Sequence, residues 1–283
     1  MSFDDSAVPA YPSLARLDGK VFAVLGAGQG IGRQTAHALA QAGGRVVCVG
    51  RRPEPTNRVA EEVGGRAFVG DAQKRTELEK LFSFTKDELG RVDGVVDVIG
   101  QGLNGSTQSV TDTEWEWQYD NVIKHALLAV QIGTPYLKES GGGTFTFVSS
   151  SMGRYIYEGL HTVAYSTAKA ALNHLTRVAA VELGPSNIRV NTVSPALTRT
   201  PRLAEIQDDE WFAGAARNYP LRRTADPADI ASVILFLASE QSRHVTGQVI
   251  DVDGGLGLLT PSPFPMNGFS GASIREDGTV SPT

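Results

Sequence analysis

The sequence predicts an α/β protein built on a single doubly wound, parallel, seven-stranded sheet with helices on both faces. Short β-branched runs alternate with segments of helical period from about residue 17 to residue 256. Most of the runs are apolar almost continuously rather than at every second position, as expected of strands covered on both faces. No composition shift marks a second domain, and no longer repeat suggests a solenoid or propeller. A chain of 283 residues, 41% of them hydrophobic, buries roughly three quarters of its unfolded surface without needing a staple.

Residues 1–16 carry Pro9 and Pro12 without periodicity and read as an N-terminal extension. Val21–Leu25 is the first strand; a glycine turn follows, then helical spacing over Ile31–Ala42. Arg45–Val49 is the second strand, with a helix over Thr56–Val63, and Arg66–Val69 is the third. Lys74–Leu89 repeats helically up to a stop at Gly90, and Val95–Ile99 is the fourth strand. Thr111-Asp112-Thr113-Glu114 is a capping-box start for one long helix, Thr111–Leu137. Thr144–Val148 is the fifth strand, Thr162–Leu183 a helix stopped by Gly184, and Ile188–Val193 the sixth strand. Asp226-Pro227 opens a helix over Pro227–Ala238, and Val249–Val252 is the last strand. Residues 257–283, with Pro261, Pro263 and Pro265, read as an irregular C-terminal arm with no role beyond packing on a neighbouring subunit.

The formal charge of −5, without long runs of one sign, argues against a nucleic-acid face. The single cysteine, Cys48, permits neither an intrachain disulfide nor a zinc site, and its place inside a strand makes it core; no metal is expected. The opening MSFDD is acidic, and no run of about 18 apolar residues follows, so a cytoplasmic protein without a membrane partner is expected.

The first turn reads Gly26-Ala27-Gly28-Gln29-Gly30-Ile31-Gly32. A strand entering a helix through glycines offers free N–H groups and a positive dipole end to an anion, and lets the backbone approach a pyrophosphate. The second strand should end on whatever reads the adenosine ribose. Here Val49 is followed by Gly50-Arg51-Arg52, with no carboxylate before Glu54. Two guanidiniums suit the 2′-phosphate of NADP, although they equally suit a solvated loop; NADP is favoured over NAD. Asp71, just past the third strand, is placed to accept from the adenine amino group.

Tyr165 and Lys169 are four apart in a helical segment and share a face. A free phenol, with a pKa of about 10, is a poor base at neutral pH, and a nearby ammonium favours the phenolate. Upstream, the fifth strand ends in Ser149-Ser150-Ser151-Met152-Gly153, hydroxyls at the carboxyl end of a central strand, where open α/β sheets bind ligands.

With these residues together, the chain resembles the short-chain dehydrogenase/reductases over about residues 17–256. The resemblance rests on GAGQGIG (26–32), Asp71, Asn121, SSSMG (149–153), YSTAK (165–169), IRVNTVSPALTRT (188–200) and VTGQVIDVDGG (245–255). It implies a Rossmann-fold oxidoreductase moving a hydride between a nicotinamide cofactor and a ketone or secondary alcohol. Tyr165 would be the general acid/base, Lys169 would lower its pKa and hold the nicotinamide ribose, Ser150 would orient the substrate oxygen, and Asn121 would hold a relay water. Ser150 is chosen over Ser151 because Gly153 follows it by three. Cofactor contacts are implied at Gly26, Gly28, Gln29, Gly30, Ile31 and Gly32, at Arg51, Arg52, Asp71 and Ala72, and at Gly100, Tyr165, Lys169, Pro195, Thr198 and Thr200.

The chain departs from the family pattern at Leu25, where a Thr is usual, at Asp97-Val98-Ile99-Gly100, where Asn-Asn-Ala-Gly is usual, and at Pro195-Ala196 in place of Pro-Gly. The first two imply a repacked contact beneath the cofactor. The Ser150-to-Tyr165 spacing is also longer than the usual one.

The substrate pocket is expected from Arg154, Tyr155, Tyr157, Leu160 and His161, and from a lid over Leu197 to Tyr219 with Trp211 and Phe212. These aromatics suit a hydrophobic, cyclic ketone or alcohol, or serve as packing for the lid itself, while Arg154 would suit an anionic substrate. His161 reads as a loop residue, and Trp115 and Trp117 are assigned no chemistry. Two alternatives stand beside the dehydrogenase. A cofactor-binding sensor would be expected to lack Tyr165 or Lys169. A 3-oxoacyl-carrier reductase would want a basic docking patch, and Arg202, Arg217, Arg222 and Arg223 are scattered. The resemblance implies a homotetramer.

Overall fold

The computed structural model describes residues 8–259 and the backbone of two short strands near the C-terminus. Seven parallel strands form one sheet in the order β3-β2-β1-β4-β5-β6-β7: β1 (Val21–Leu25), β2 (Arg45–Gly50), β3 (Arg66–Val69), β4 (Gly94–Asp97), β5 (Gly143–Val148), β6 (Ile188–Pro195) and β7 (Val249–Val252). Helices α1 (Gly30–Gln41), α2 (Pro53–Glu62), α3 (Arg75–Leu89), α4 (Asp112–Tyr119), α5 (His125–Glu139), α6 (Val163–Leu183), α7 (Pro201–Ala204), α8 (Asp209–Ala216) and α9 (Pro227–Ala238) connect them. The central strands β1 and β4 are buried at every position, which explains their unbroken apolar runs, whereas β3 and β7 lie at the edges and are partly exposed.

Two cores flank the sheet. Leu81, Phe82, Ala129, Phe145 and Leu172 fill the face under α3, α5 and α6, while Leu39, Val59, Ile230 and Ile234 fill the face under α1, α2 and α9. Chain order reverses between β1 and β4, so the carboxyl ends of these strands open a crevice.

The long helix expected over Thr111–Leu137 is interrupted. Its start is the expected capping box at Thr111, but residues Asp120–Lys124 form a π-turn before α5 begins. One wider turn is invisible to a helical period, and here it carries Asn121. Gly90 closes α3 with φ of +80°. α6 ends at Leu183 with Gly184 as its C-cap, as expected, but Gly184 stays right-handed: the chain continues through a 3-10 turn, and Asn187, at φ +57°, makes the reversal.

In the N-terminal extension, Tyr11–Ala15 form a 3-10 turn, while residues 1–7 lie outside the described residues. The C-terminal arm, expected to be irregular, contains an antiparallel pair, β8 (Ala272–Ile274) with β9 (Val280–Pro282); its remaining residues beyond 259 lie outside the described residues. Among the described residues no helix is long and apolar enough to cross a membrane.

Candidate active site

The glycine turn leaves β1 and folds back on β2, with Gly26 N–H donating to Val49 O at 2.9 Å. Gly26 has φ +88°, and a Cβ there would lie 2.9 Å from Val98 Cγ2. Leu25 is wholly buried, so the position where the family usually has Thr has become part of the apolar floor. Helix α1 has neither a side-chain cap nor an acid in its first turn, leaving its first N–H groups available to an anion.

These groups face a cavity of about 370 Å³ lined by Gly26, Gly28, Gln29, Gly30, Ile31, Gly32, Arg51, Arg52, Gly100, Asn121, Thr200 and Arg202, among others. Its described lining includes three arginines and no carboxylate. Arg52 Nη2 donates to Gln29 Oε1 at 3.1 Å, tying the second strand's end to the glycine turn. An adjoining cavity of about 150 Å³ is lined by Arg51, Asp71, Ala72 and Ile99. The glycine backbone, the uncapped α1 and the arginines suit an anionic dinucleotide, which these groups and Asp71 would hold. Pro195 and Thr198 do not line either cavity. Pro195 pairs with Val252 at the end of β6, and the buried Thr198 spends its hydroxyl on Ala196 O at 3.1 Å.

Ser150, Tyr165 and Lys169 come together where β5 ends. Ser149 and Ser151 are buried, and Ser150 is the partly exposed one of the three, its Oγ accepting from Met152 N at 3.2 Å. The Ser150 hydroxyl favours the Tyr165 phenolate, but burial outweighs it and pushes the phenol above its ordinary value. Burial therefore sets the direction of the Tyr165 shift, and the net lowering expected beside Lys169 is outweighed in this arrangement. The Lys169 ammonium lies 5.7 Å from the Tyr165 ring centroid and donates to Val148 O at 2.7 Å. Burial pulls Lys169 down to about 8, and Asp97 acts in the opposite direction. Cys48 is wholly buried, its thiol pushed up to about 12 by burial, as expected of a core residue.

Asn121 is buried; its Nδ2 donates to Gln101 O at 3.0 Å and its Oδ1 accepts from Gln73 Nε2 at 2.6 Å. Gln73 and the fully buried Gln118, which donates to Gln101 O and accepts from Leu103 N, were not singled out in the sequence. Both lie on segments distant from Gln101, and nothing in their local pattern marks them. The segment 100–105 thereby becomes a strap across the site. Gly105 N–H donates to His161 O at 2.8 Å and Gly105 O accepts from Val163 N at 3.1 Å, and Gly102 lies so near the Tyr165 ring that a Cβ would come within 3.1 Å of it.

Beyond the strap is a cavity of about 440 Å³ lined by Gly105 to Gln108, Met152, Tyr155, Ile156, Tyr157, Leu160, His161, Thr162, Val163 and Ser166. No Asp, Glu, Lys or Arg is among these. Arg154 is outside it, paired with Asp251 at 2.8 Å, which removes it as an anion receptor. The segment from Leu197 to Tyr219 does not line this cavity. Phe212 and Tyr219 are buried within it, Trp211 meets Phe212 edge-on, and only Thr200 and Arg202 reach the larger nucleotide cavity. Those aromatics are the lid's own packing.

A doubly wound sheet with a glycine- and arginine-lined cavity at its switch point and a Ser-Tyr-Lys cluster beside it points to a nicotinamide-dependent oxidoreductase. A family model described as enoyl-(acyl carrier protein) reductase matches residues 26–257. An uncharacterized oxidoreductase of Mycobacterium tuberculosis is 36% identical over 252 residues, covering 85% of this chain and 93% of its own. The 7α-hydroxysteroid dehydrogenase of Escherichia coli K12 is 33% identical over 246 residues, covering 85% of this chain and 95% of its own. A solved 7α-hydroxysteroid dehydrogenase, complexed with NADH and 7-oxo glycochenodeoxycholic acid, superposes with a TM-score of 0.81 at 32% identity, over 86% of this chain and 96% of that one. The chain belongs to the short-chain dehydrogenase/reductase family. It is an NAD(P)-dependent oxidoreductase acting on a secondary alcohol or ketone.

Proposed function

We propose that the substrate is a hydrophobic, cyclic ketone or the corresponding secondary alcohol, with Tyr165 as its proton donor or acceptor. The observation that carries this reading is the cavity of about 440 Å³ lined by Met152, Ile156, Leu160 and Val163, without Asp, Glu, Lys or Arg, which reaches Ser166, the residue after Tyr165. A nicotinamide cofactor held by the Gly26–Gly32 turn and the start of α1 would supply or accept the hydride at the substrate carbon. Tyr165 gives the substrate oxygen a proton in reduction and takes it back in oxidation, Ser150 donates a hydrogen bond to that oxygen, and Lys169 favours the phenolate. Asn121, already holding Gln101 O and Gln73, carries the proton relay away from Tyr165 through water.

Cyclohexanone and a 7-oxo steroid serve as probes of NADPH-dependent reduction. Tyr165→Phe is expected to lower turnover by about a thousandfold while the cofactor still binds; an active variant would remove Tyr165 from the mechanism, and failure of the wild type on both probes would sink the apolar, cyclic reading.

The favoured cofactor is NADP. Exposed Arg51 and Arg52 flank a described cavity lining that holds no carboxylate. Side-by-side titration should give tighter binding of NADPH than of NADH, with the preference lost in Arg51→Ala; a preference for NADH would reassign both arginines to the solvated surface. The chain is expected to assemble as a tetramer through the α5 and α6 faces, where Leu127, Val178 and Val181 are exposed. Light scattering would report a monomer if this is wrong.

A further inference from the structure

Asp97 ends β4 with its carboxylate buried at the side of the site, and neither it nor its neighbour His125 is used in the proton chemistry above. It is 3% exposed, its Oδ1 accepts from Ile99 N at 2.9 Å, and its Oδ2 lies 2.9 Å from Nε2 of His125, itself 1% exposed. Despite this proximity, His125 Nε2 makes no hydrogen bond. Its Nδ1 lies 3.4 Å from Asp120 O, in the same π-turn that carries Asn121. A carboxylate so deeply buried survives only next to compensating charge or donors.

The buried cation beside it is Lys169, which is 2% exposed: Asp97 pairs with Phe147 in the sheet, and the next carbonyl, Val148 O, accepts from Lys169 Nζ at 2.7 Å. The titratable groups around that ammonium are Asp97 from β4, His125 from α5 behind Asp97, and Tyr165 on its own helix α6; β5 contributes the neutral Val148 carbonyl. Gly100, three residues after Asp97, leaves room for Nζ: a Cβ there would lie 2.7 Å from it. A buried ammonium whose main hydrogen bond goes to a carbonyl depends on a nearby negative charge to stay protonated.

We propose that Asp97 is a positioning residue of the reaction, its buried carboxylate, held by the Ile99 N–H and abutting His125, supporting the Lys169 ammonium so that Lys169 can act on Tyr165. The proposal rests on the roles of Tyr165 and Lys169 given above. Burial brings Lys169 to about 8 while Asp97 resists it, so removing the Asp97 charge makes Lys169 lose its proton at lower pH. The alkaline limb of ketone reduction should then move toward acid.

The test is the pH profile of kcat/KM for whichever probe ketone is reduced faster, in the wild type and in Asp97→Asn, which is close to isosteric and keeps an acceptor for Ile99. With a shift of about one pH unit, the scale of a single nearby opposite charge, the variant-to-wild-type ratio falls about fivefold between pH 6 and pH 8. A ratio that is low but flat with pH makes Asp97 merely structural and overturns the proposal. His125→Gln disturbs the same contact and leaves the carboxylate charged, so its ratio should stay flat; the same slope in both variants assigns the effect to packing and also overturns it. If Asp97→Asn does not fold by circular dichroism, Asp97→Ser carries the same expectation. Tyr165→Phe separates the two levels: if it is active, the parent reading has failed, whereas an inactive Tyr165→Phe with a flat Asp97→Asn ratio refutes this inference alone.

Discussion

Gly32 lies so close to the turn that precedes it that a Cβ would collide with the Gly26 carbonyl oxygen and press on Ala27 Cα at 3.0 Å. Both obstacles are backbone, so the turn and the start of α1 would have to separate. Gly32→Ala is therefore expected to weaken NADPH binding by about tenfold or more, equivalent to about 1.4 kcal/mol, as measured by fluorescence titration. Unchanged affinity would mean that the turn is not the diphosphate cradle. Patterns of this kind can be picked out in the sequence because they are local: the Gly26–Gly32 spacing, the Tyr165–Lys169 interval and the Arg51-Arg52 pair each span a few positions, and Arg51 and Arg52 line the same cavity as the turn, with the roles proposed above. Asp97, His125, Gln73 and Gln118 are different. Each has its partner on a distant segment, as Gln73 has in Asn121, 48 positions away, and no local period brings such pairs together.

Elements divide along the same line. Val21–Leu25, Arg66–Val69, Val249–Val252 and Pro227–Ala238 form over the spans their sequences suggest, because an unbroken apolar run between turn residues admits few alternatives. Asp226 and Asp229 complete a capping box at the start of α9, as Thr111 and Glu114 do at α4. The π-turn at Asp120–Lys124 was not legible: nothing in the apolar spacing of residues 111–137 marks the single wider turn that carries the buried Asn121. The strap at 100–105 was hidden for another reason. It has no regular period and is held by Gln118, Asn121 and a two-bond pairing of Gly105 with His161 and Val163, all from elsewhere in the chain. The lid illustrates the cost of reading aromatics by composition. Phe212 and Tyr219 are buried where the lid folds upon itself, and the Tyr219 hydroxyl accepts from Leu197 N at 3.1 Å.

At the scale of the molecule, the two cores share one sheet, so damage to either face should be felt by both. Ile234 on α9 is fully buried in the core under α1 and α9, across the sheet from α4, α5 and α6. Ile234→Ala removes three buried carbons and leaves a cavity, a cost of about 3 kcal/mol, which lowers the melting temperature by about 6 °C in a chain of this size. Trp115 and Trp117 on α4 and Trp211 on α8 report fluorescence from outside that core, while far-ultraviolet circular dichroism reports every helix and strand. The β1–β4 pairing joins the two halves of the sheet at the switch point, and both β1 and β4 are buried on both faces. The α9 face therefore has no boundary along which to loosen by itself, and the two probes should melt together in the variant as in the wild type. An earlier circular-dichroism transition, with tryptophan fluorescence still native, would show instead that the α1–α9 layer unfolds separately from the side that holds Tyr165 and Lys169.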